Sequence, residues 1–222
     1  MALGLLAATP AFADATAPCN DGLSPGSTEC GTISSTTGNV ATAVGFGALA
    51  DAGGTALGYY AYADDNSTAL GAQAVTAAEA VAIGAGSSAA YAAAAVGRGA
   101  DAGASYSLAL GYYANVSSGG DSAIAVGNFA SASGLVSIAI GGGSIASGAR
   151  STAIGADADA TQDSATAIGW GANATAVNST AIGAAAVASG SISTAIGFSA
   201  DAIGVQSTAV GYSAQATQIG DA

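Results

Sequence analysis

The chain has 222 residues and a formal net charge of −12, from 14 acidic and 2 basic side chains with no histidine. Arg98 and Arg150 alone face any polyanion, so nucleic-acid binding and docking of a basic face on a membrane are all but excluded. With no His and only 2 Cys, most transition-metal sites and the commonest general base are also missing.

At 51% hydrophobic and 7% charged, the composition is not that of a disordered chain. Yet the longest apolar stretch beyond the N-terminus, Ala89 to Val96, falls far short of the roughly 18 residues a membrane-spanning helix needs. The abundance of Gly, Ala and small hydroxyl residues suits thin, closely packed layers.

Residues 1–13, MALGLLAATPAFA, form an apolar segment ending in an Ala-Phe-Ala cleavage pattern. They read as a signal-peptide remnant lacking its basic start, which predicts an exported chain beginning at Asp14. Residues 14–40 read as an N-terminal cap segment. It holds Cys19 and Cys30, an isolated pair whose short loop predicts a disulfide worth roughly 2–3 kcal/mol.

From residue 41 to 222 one motif organises the chain. Ala-[Ile/Val/Leu]-Gly recurs thirteen times, with glycines at 45, 58, 71, 84, 97, 111, 127, 141, 155, 169, 183, 197 and 211. The spacings of 13, 14 and once 16 residues are too short for a helix pair and fit one coil of a β-solenoid. Before each glycine the pattern has period 2, as in Ser151 to Gly155: Thr and Ile share one strand face, Ser, Ala and Gly the other. Small residues return three and five positions after the glycine (Ala158 and Ala160, Ala172 and Ala174), giving a second strand with a thin inward face.

The predicted fold is therefore all-β: a parallel β-roll of about thirteen coils of 13–16 residues, each with two strands of about five residues and two tight turns. The 16-residue spacing is expected to bulge as a loop near Ser117-Ser118-Gly119-Gly120. Ordering a coil costs about 1–2 kcal/mol per residue. One buried Ile returns only about 1.5–3 kcal/mol. That imbalance predicts packing of one face against copies of the same chain, an obligate homo-oligomer.

These residues resemble the head domain of YadA-like trimeric autotransporter adhesins. The family's repeat is similar to Ser-x-Ala-Ile-Gly-x-x-Ala-x-Ala-x-Gly, and Ser193 to Gly204 carries it nearly intact; the match runs from about Thr42 to Thr217. The resemblance implies a left-handed parallel β-roll, a homotrimer, display on a Gram-negative surface, and non-enzymatic adhesion to host matrix, cells or other bacteria. It implies an extracellular protein or cell-surface ligand as partner. After Gly211 no heptads or amphipathic ten-residue strands supply the family's stalk or anchor, so a head fragment or a head-only secreted product is expected.

Other motifs read more plainly. Gly45-Phe-Gly47, Gly97-Arg-Gly99 and Gly169-Trp-Gly171 each open a G-x-G-x-x-A match, but they recur in phase with the repeat and no helix is expected after them. No cofactor site is expected. Asp157 with Asp159, and Asp64 with Asp65, recur at no fixed phase, so they read as solvated charge and not as calcium ligands or a catalytic pair. No catalytic or metal site is expected. Four Asn-x-Ser/Thr triplets, beginning at Asn66, Asn115, Asn173 and Asn178, read as chance products of the repeat.

Aromatics gather just after the glycine. Tyr59, Tyr60, Tyr112, Tyr113, Trp170, Phe198 and Tyr212, with Phe46 and Phe129, are candidates for partner contact or for packing between protomers. The Thr column (Thr42, Thr55, Thr68, then Thr152 to Thr208) leaves an ice-binding solenoid as one alternative. Its aliphatic substitutes between Val81 and Ile138 predict that the column faces inward. A structural extracellular filament or surface-layer subunit, stacking through open terminal coils, is the other.

Overall fold

The computed structural model describes residues 19–21, 25–31 and 33–221; the signal-peptide reading of residues 1–13 lies outside them. Strands β1 (Cys19–Asp21) and β2 (Thr28–Cys30) form an antiparallel hairpin in which Cys19 and Cys30 are register partners joined by a disulfide. From β2 onward every pairing in this first sheet is parallel, ending at Thr208–Val210 in a ladder of 15 strands including β1. A second sheet of 14 two-residue strands runs alongside, from β3 (Ser35–Thr36) to Gln215–Ala216. The described residues contain no helix, and so none long and apolar enough to cross a membrane. The molecule is a parallel β-solenoid.

Each coil contributes one three-residue strand, such as Thr152–Ile154, and one two-residue strand, such as Asp159–Ala160. These are shorter than the five residues expected, because the turns occupy the rest and keep stacking. The turn amide of Asp157 donates to Gly142 O at 2.9 Å, and that of Ser164 to Ala149 O at 2.8 Å, each in the preceding coil. Nearly the whole circuit of a coil is thus hydrogen-bonded to its neighbours, and exposed peptide groups are few.

The interior contains almost nothing but methyl groups and hydroxyls. Among the described residues every buried apolar side chain is Ala except Val116, and the buried polar ones are Ser with Thr36 and Thr76. Ser87 Oγ donates to Gly84 O at 2.8 Å and Ser144 Oγ to Gly141 O at 2.9 Å, so these hydroxyls also tie down their own turn. Two sheets meeting across one layer of Ala leave no room for a branched chain on both sides.

That thinness reverses one expectation. Thr and Ile do share a strand face, but it is the outer face: Ala153 is fully buried between half-buried Thr152 and exposed Ile154. The Thr column therefore points away from the roll, not into it, and the Ile column is not buried within the chain. The outward Thr ranks are broken for five coils by Val81, Ala94, Leu108, Ile124 and Ile138.

The ladder holds one coil more than the tripeptide count. Thr28, Glu29 and Cys30 align with Thr42, Ala43 and Val44, so Glu29 occupies an interior Ala position. Its Oε1 accepts from Thr36 N at 2.7 Å and Thr36 Oγ1 at 2.8 Å, closing the end of the core with hydrogen bonds instead of methyl contact. The 16-residue coil places its extra residues in the Ser117–Ala123 connection, and the strands on either side stay in register.

The repeated glycine is required at each coil. Gly169 has φ +133°, and a Cβ there would lie 2.6 Å from the carbonyl carbon of Gly183 in the next coil. Two positions later the backbone enters the left-handed region again, with side chains such as Tyr60, Tyr113 and Phe129. Those side chains are thrown outward at the turn.

Candidate binding surfaces

The roll presents two faces and two edges, and its charges are unevenly divided among them. The outer face of the first sheet carries only Thr and aliphatic residues from Thr42 to Val210, without a single charge. The edge opposite the glycines carries Asp51, Asp64, Asp65, Glu79, Asp121, Asp163 and Asp221 with Arg150. The outer face of the second sheet holds Asp101, Asp159 and Asp201. The glycine edge, made of the two residues after each repeated glycine, has one acid, Asp157, and one base, Arg98.

On the second sheet the strand register stacks Asp101 on Asn115 and Asp159 on Asn173. Burial between neighbouring rungs pushes the Asp101 carboxyl up from its ordinary range, partly offset by a hydrogen bond from Ser88; burial alone does the same to Asp159. Tyr62 stands higher on the same face and donates to Asp51 Oδ2 at 2.9 Å. That bond, burial and the nearby carboxylates push its phenol up to about 12.

The paired aspartates do not form joint sites. Asp157 lies on the glycine edge while Asp159 faces out of the second sheet. Asp65 Oδ1 accepts from Ala52 N at 3.1 Å and Asp64 Oδ1 from Asp65 N at 2.7 Å, so both carboxylates cap turn amides. Among the described residues no three acidic or sulfur ligands converge on a metal position. None of the glycine-rich triplets opens a helix; each lies in a turn of the roll.

The aromatic candidates all stand exposed on the glycine edge, from Tyr112 at 43% to Tyr212 at 80%. The fold gathers them into platforms. Tyr59 and Tyr60 meet edge to face at 4.6 Å, with Phe46 5.7 and 5.6 Å away. Tyr112 and Tyr113 repeat that geometry at 4.6 Å, with Phe129 stacked on Tyr113 at 5.7 Å. Phe198 stacks on Tyr212 at 5.4 Å. Trp170 makes no ring contact among the described residues.

Two features escaped the sequence reading. Arg98 sits at the same phase as the aromatics, its guanidinium carbon 5.9 Å from the Tyr112 ring centroid. Following the phase instead of the aromatic character would have found it. Tyr91 and Tyr106 form a separate pair at 5.6 Å on the acidic edge, one coil apart, with no counterpart in the repeat to announce them.

Comparison with known proteins agrees with this geometry. No curated protein matches the chain. The family model described as YadA head domain repeat matches residues 52–74, 118–144, 146–172, 174–200 and 202–220, together more than half of the length. With the in-register parallel roll and the glycine turn at every coil, this chain belongs to the YadA head domain repeat family.

Proposed function

We propose that this chain is the head of a bacterial surface adhesin, working without catalysis as a homotrimer that binds extracellular or cell-surface partners multivalently. The family is one of adhesins exposed on bacterial surfaces. The observation that carries the oligomer is the charge-free outer face of the first sheet. Leu57, Ile83, Leu110 and Ile154 are 36–42% exposed there, in an unbroken column along the whole rod. A monomer seldom leaves so long an apolar strip in water. Packing that strip against two copies of itself satisfies it, and membership of the family favours three chains over two.

In such a trimer the two edges and the second sheet remain available to partners, and each contact is presented three times along a rod. Weak contacts then add through effective concentration, without a deep pocket. The Cys19–Cys30 disulfide fits an oxidising compartment, and so supports export.

The test is the mass of the purified chain in solution by light scattering after size separation. Three times the chain mass is expected. Ile154→Glu would place an unpaired charge in the shared face, at a cost of about 3–5 kcal/mol per chain in the assembly. It should lower the mass while circular dichroism keeps its β signal, because Ile154 contributes nothing to the interior. A monomeric parent chain would overturn the reading, and open-ended polymers would favour the filament.

A further inference from the structure

A concavity lies on the glycine edge among its platforms. A depression of about 280 Å³ crosses successive coils, floored by Ala85, Gly86 and Gly99 and walled by Gln73, Arg98 and Tyr113. It lies where three consecutive coils, between Tyr60 and Tyr112, have a small residue at one or both edge positions. Tyr113 leans into it: a Cβ on Gly99 would come 2.6 Å from the Tyr113 ring, so the ring lies directly over that glycine. Arg98 makes no ion pair among the described residues and is held over Tyr112 at the rim.

We propose that this depression binds a carboxylate-bearing sugar of an extended acidic glycan, an inference that rests on the adhesin reading and names its ligand class. Three observations converge on that chemistry. The first is charge. In a chain of net charge −12, an unpaired guanidinium offers a carboxylate two parallel hydrogen bonds. The sole acid on this edge, Asp157, sits four coils away, roughly 19 Å at about 4.8 Å per strand. That exceeds the screening length of about 8 Å in physiological salt. Among the described residues the other acids lie on the opposite edge, the second sheet or the N-terminal hairpin.

The second observation is size. The depression falls below the roughly 300–1,000 Å³ of pockets that enclose a whole small ligand. It seats one unit of a longer chain. Tyr113, its ring faces set against Gly99 and Phe129, offers the depression an exposed ring edge and a hydroxyl, and Gln73 adds an amide to the lining.

The third is spacing. Tyr59 and Tyr60 follow Gly58, Tyr112 and Tyr113 follow Gly111, and Trp170 follows Gly169, each set four coils from the last. These three sets are therefore roughly 19 Å apart along the edge, and Phe198 and Tyr212 follow two and three coils beyond Trp170. A linear polymer can meet several of these sites in one extended conformation. The depression then supplies the charged anchor, and the platforms to either side supply stacking.

The full chain is titrated calorimetrically with a hyaluronan hexasaccharide and with sialyllactose, covering uronic and sialic carboxylates. Binding of at least one is expected. Arg98→Gln and Tyr113→Ala should each weaken it about tenfold, while Arg150→Gln, on the opposite edge, leaves it unchanged. Reducing the sugar carboxylates to alcohols should weaken binding to the parent chain as much as Arg98→Gln does. No binding of either probe, or an Arg98→Gln affinity equal to the parent's, overturns the proposal. The same preparations are assayed by light scattering and for adherence to a surface coated with matrix protein. Trimers that adhere without binding either sugar defeat the glycan and leave the adhesin standing, with a protein as its partner. Chains that neither assemble nor adhere defeat the reading beneath it.

Discussion

Val116 and Gly120 share one site inside the roll. Val116 is the only buried apolar side chain larger than Ala among the described residues, and a Cβ on Gly120 would lie 2.8 Å from its Cγ1. The extra length of the 16-residue coil thus brings back a glycine where the larger side chain needs room. Gly120→Ala should cost about 1–3 kcal/mol by overpacking. Shortening the neighbour in Val116→Ala should recover part of it, with a coupling of at least about 0.5 kcal/mol in a double-mutant cycle read by urea unfolding. Additive losses would show that the two residues do not compete for space.

Glycines at the two turn positions should respond in opposite ways. Gly169→Ala combines φ +133° with a backbone collision against Gly183, and neither can relax without shifting the next coil. A loss of at least about 2 kcal/mol is expected. Gly171 has φ +61° and nothing within 4 Å of its added Cβ. Gly171→Asn, with a residue that tolerates the left-handed region, should stay within about 1 kcal/mol of the parent. Thermal denaturation of both variants checks the contrast.

The second sheet predicts a pH dependence. Burial raises the Asp159 carboxyl in the folded chain above its unfolded value, so the fold holds this proton more tightly than the coil does. Stability from this group is therefore complete below the ordinary Asp range near 4 and declines as pH rises through the folded value. Asp159→Asn removes the buried charge and can donate to Asn173, its register partner. The variant should melt higher than the parent at pH 7, and the gap should close toward pH 3. A gap that is constant with pH would mean that charge burial is not its cause.

Tyr62 extends the same logic to alkaline solution. Its phenol, held near 12 by Asp51, should stay protonated through the ordinary phenol range near 10. Because the folded value is the raised one, this group's contribution is intact below pH 10 and is lost as pH climbs toward 12. Ultraviolet titration should resolve a phenol ionising near 12, and Asp51→Asn should lower that midpoint. If Asp51→Asn leaves the late phenol in place, the hydrogen bond is not what holds it.

The period of the chain made the roll legible, because glycines at 13, 14 or 16 residues leave room for little except one coil. The direction of the strand faces was not. Alternation places Thr152 with Ile154 and apart from Ala153, but says nothing of which side is inside. The aliphatic replacements at Val81 and Leu108 pointed inward by the usual preference of apolar groups for a core. The layer is too thin for that preference to operate: Ala158 and Ala160 close the gap opposite Ala153, and the larger residues must go out. The edge aromatics were legible by phase, whereas the Val116–Gly120 compensation and the Glu29 cap were not. Both depend on what a neighbouring coil contributes across space, and Glu29-Cys30-Gly31 retains only the glycine of the motif.

Every coil meets the next through the same backbone ladder, the same Ala layer and the same glycine against glycine contact. Within the roll, among the described residues, few side chains are specific to one junction, Val116, Thr76 and Glu29 among them. A stretch of coding sequence worth one coil can therefore be duplicated, lost or exchanged without making a seam, as the mixture of coil lengths within one ladder already illustrates. Inheritance of rod length is then separate from inheritance of surface. A lineage can change how far its head extends in steps of about 4.8 Å, and shuffle where its aromatic platforms fall, while the interior remains the same from one generation to the next.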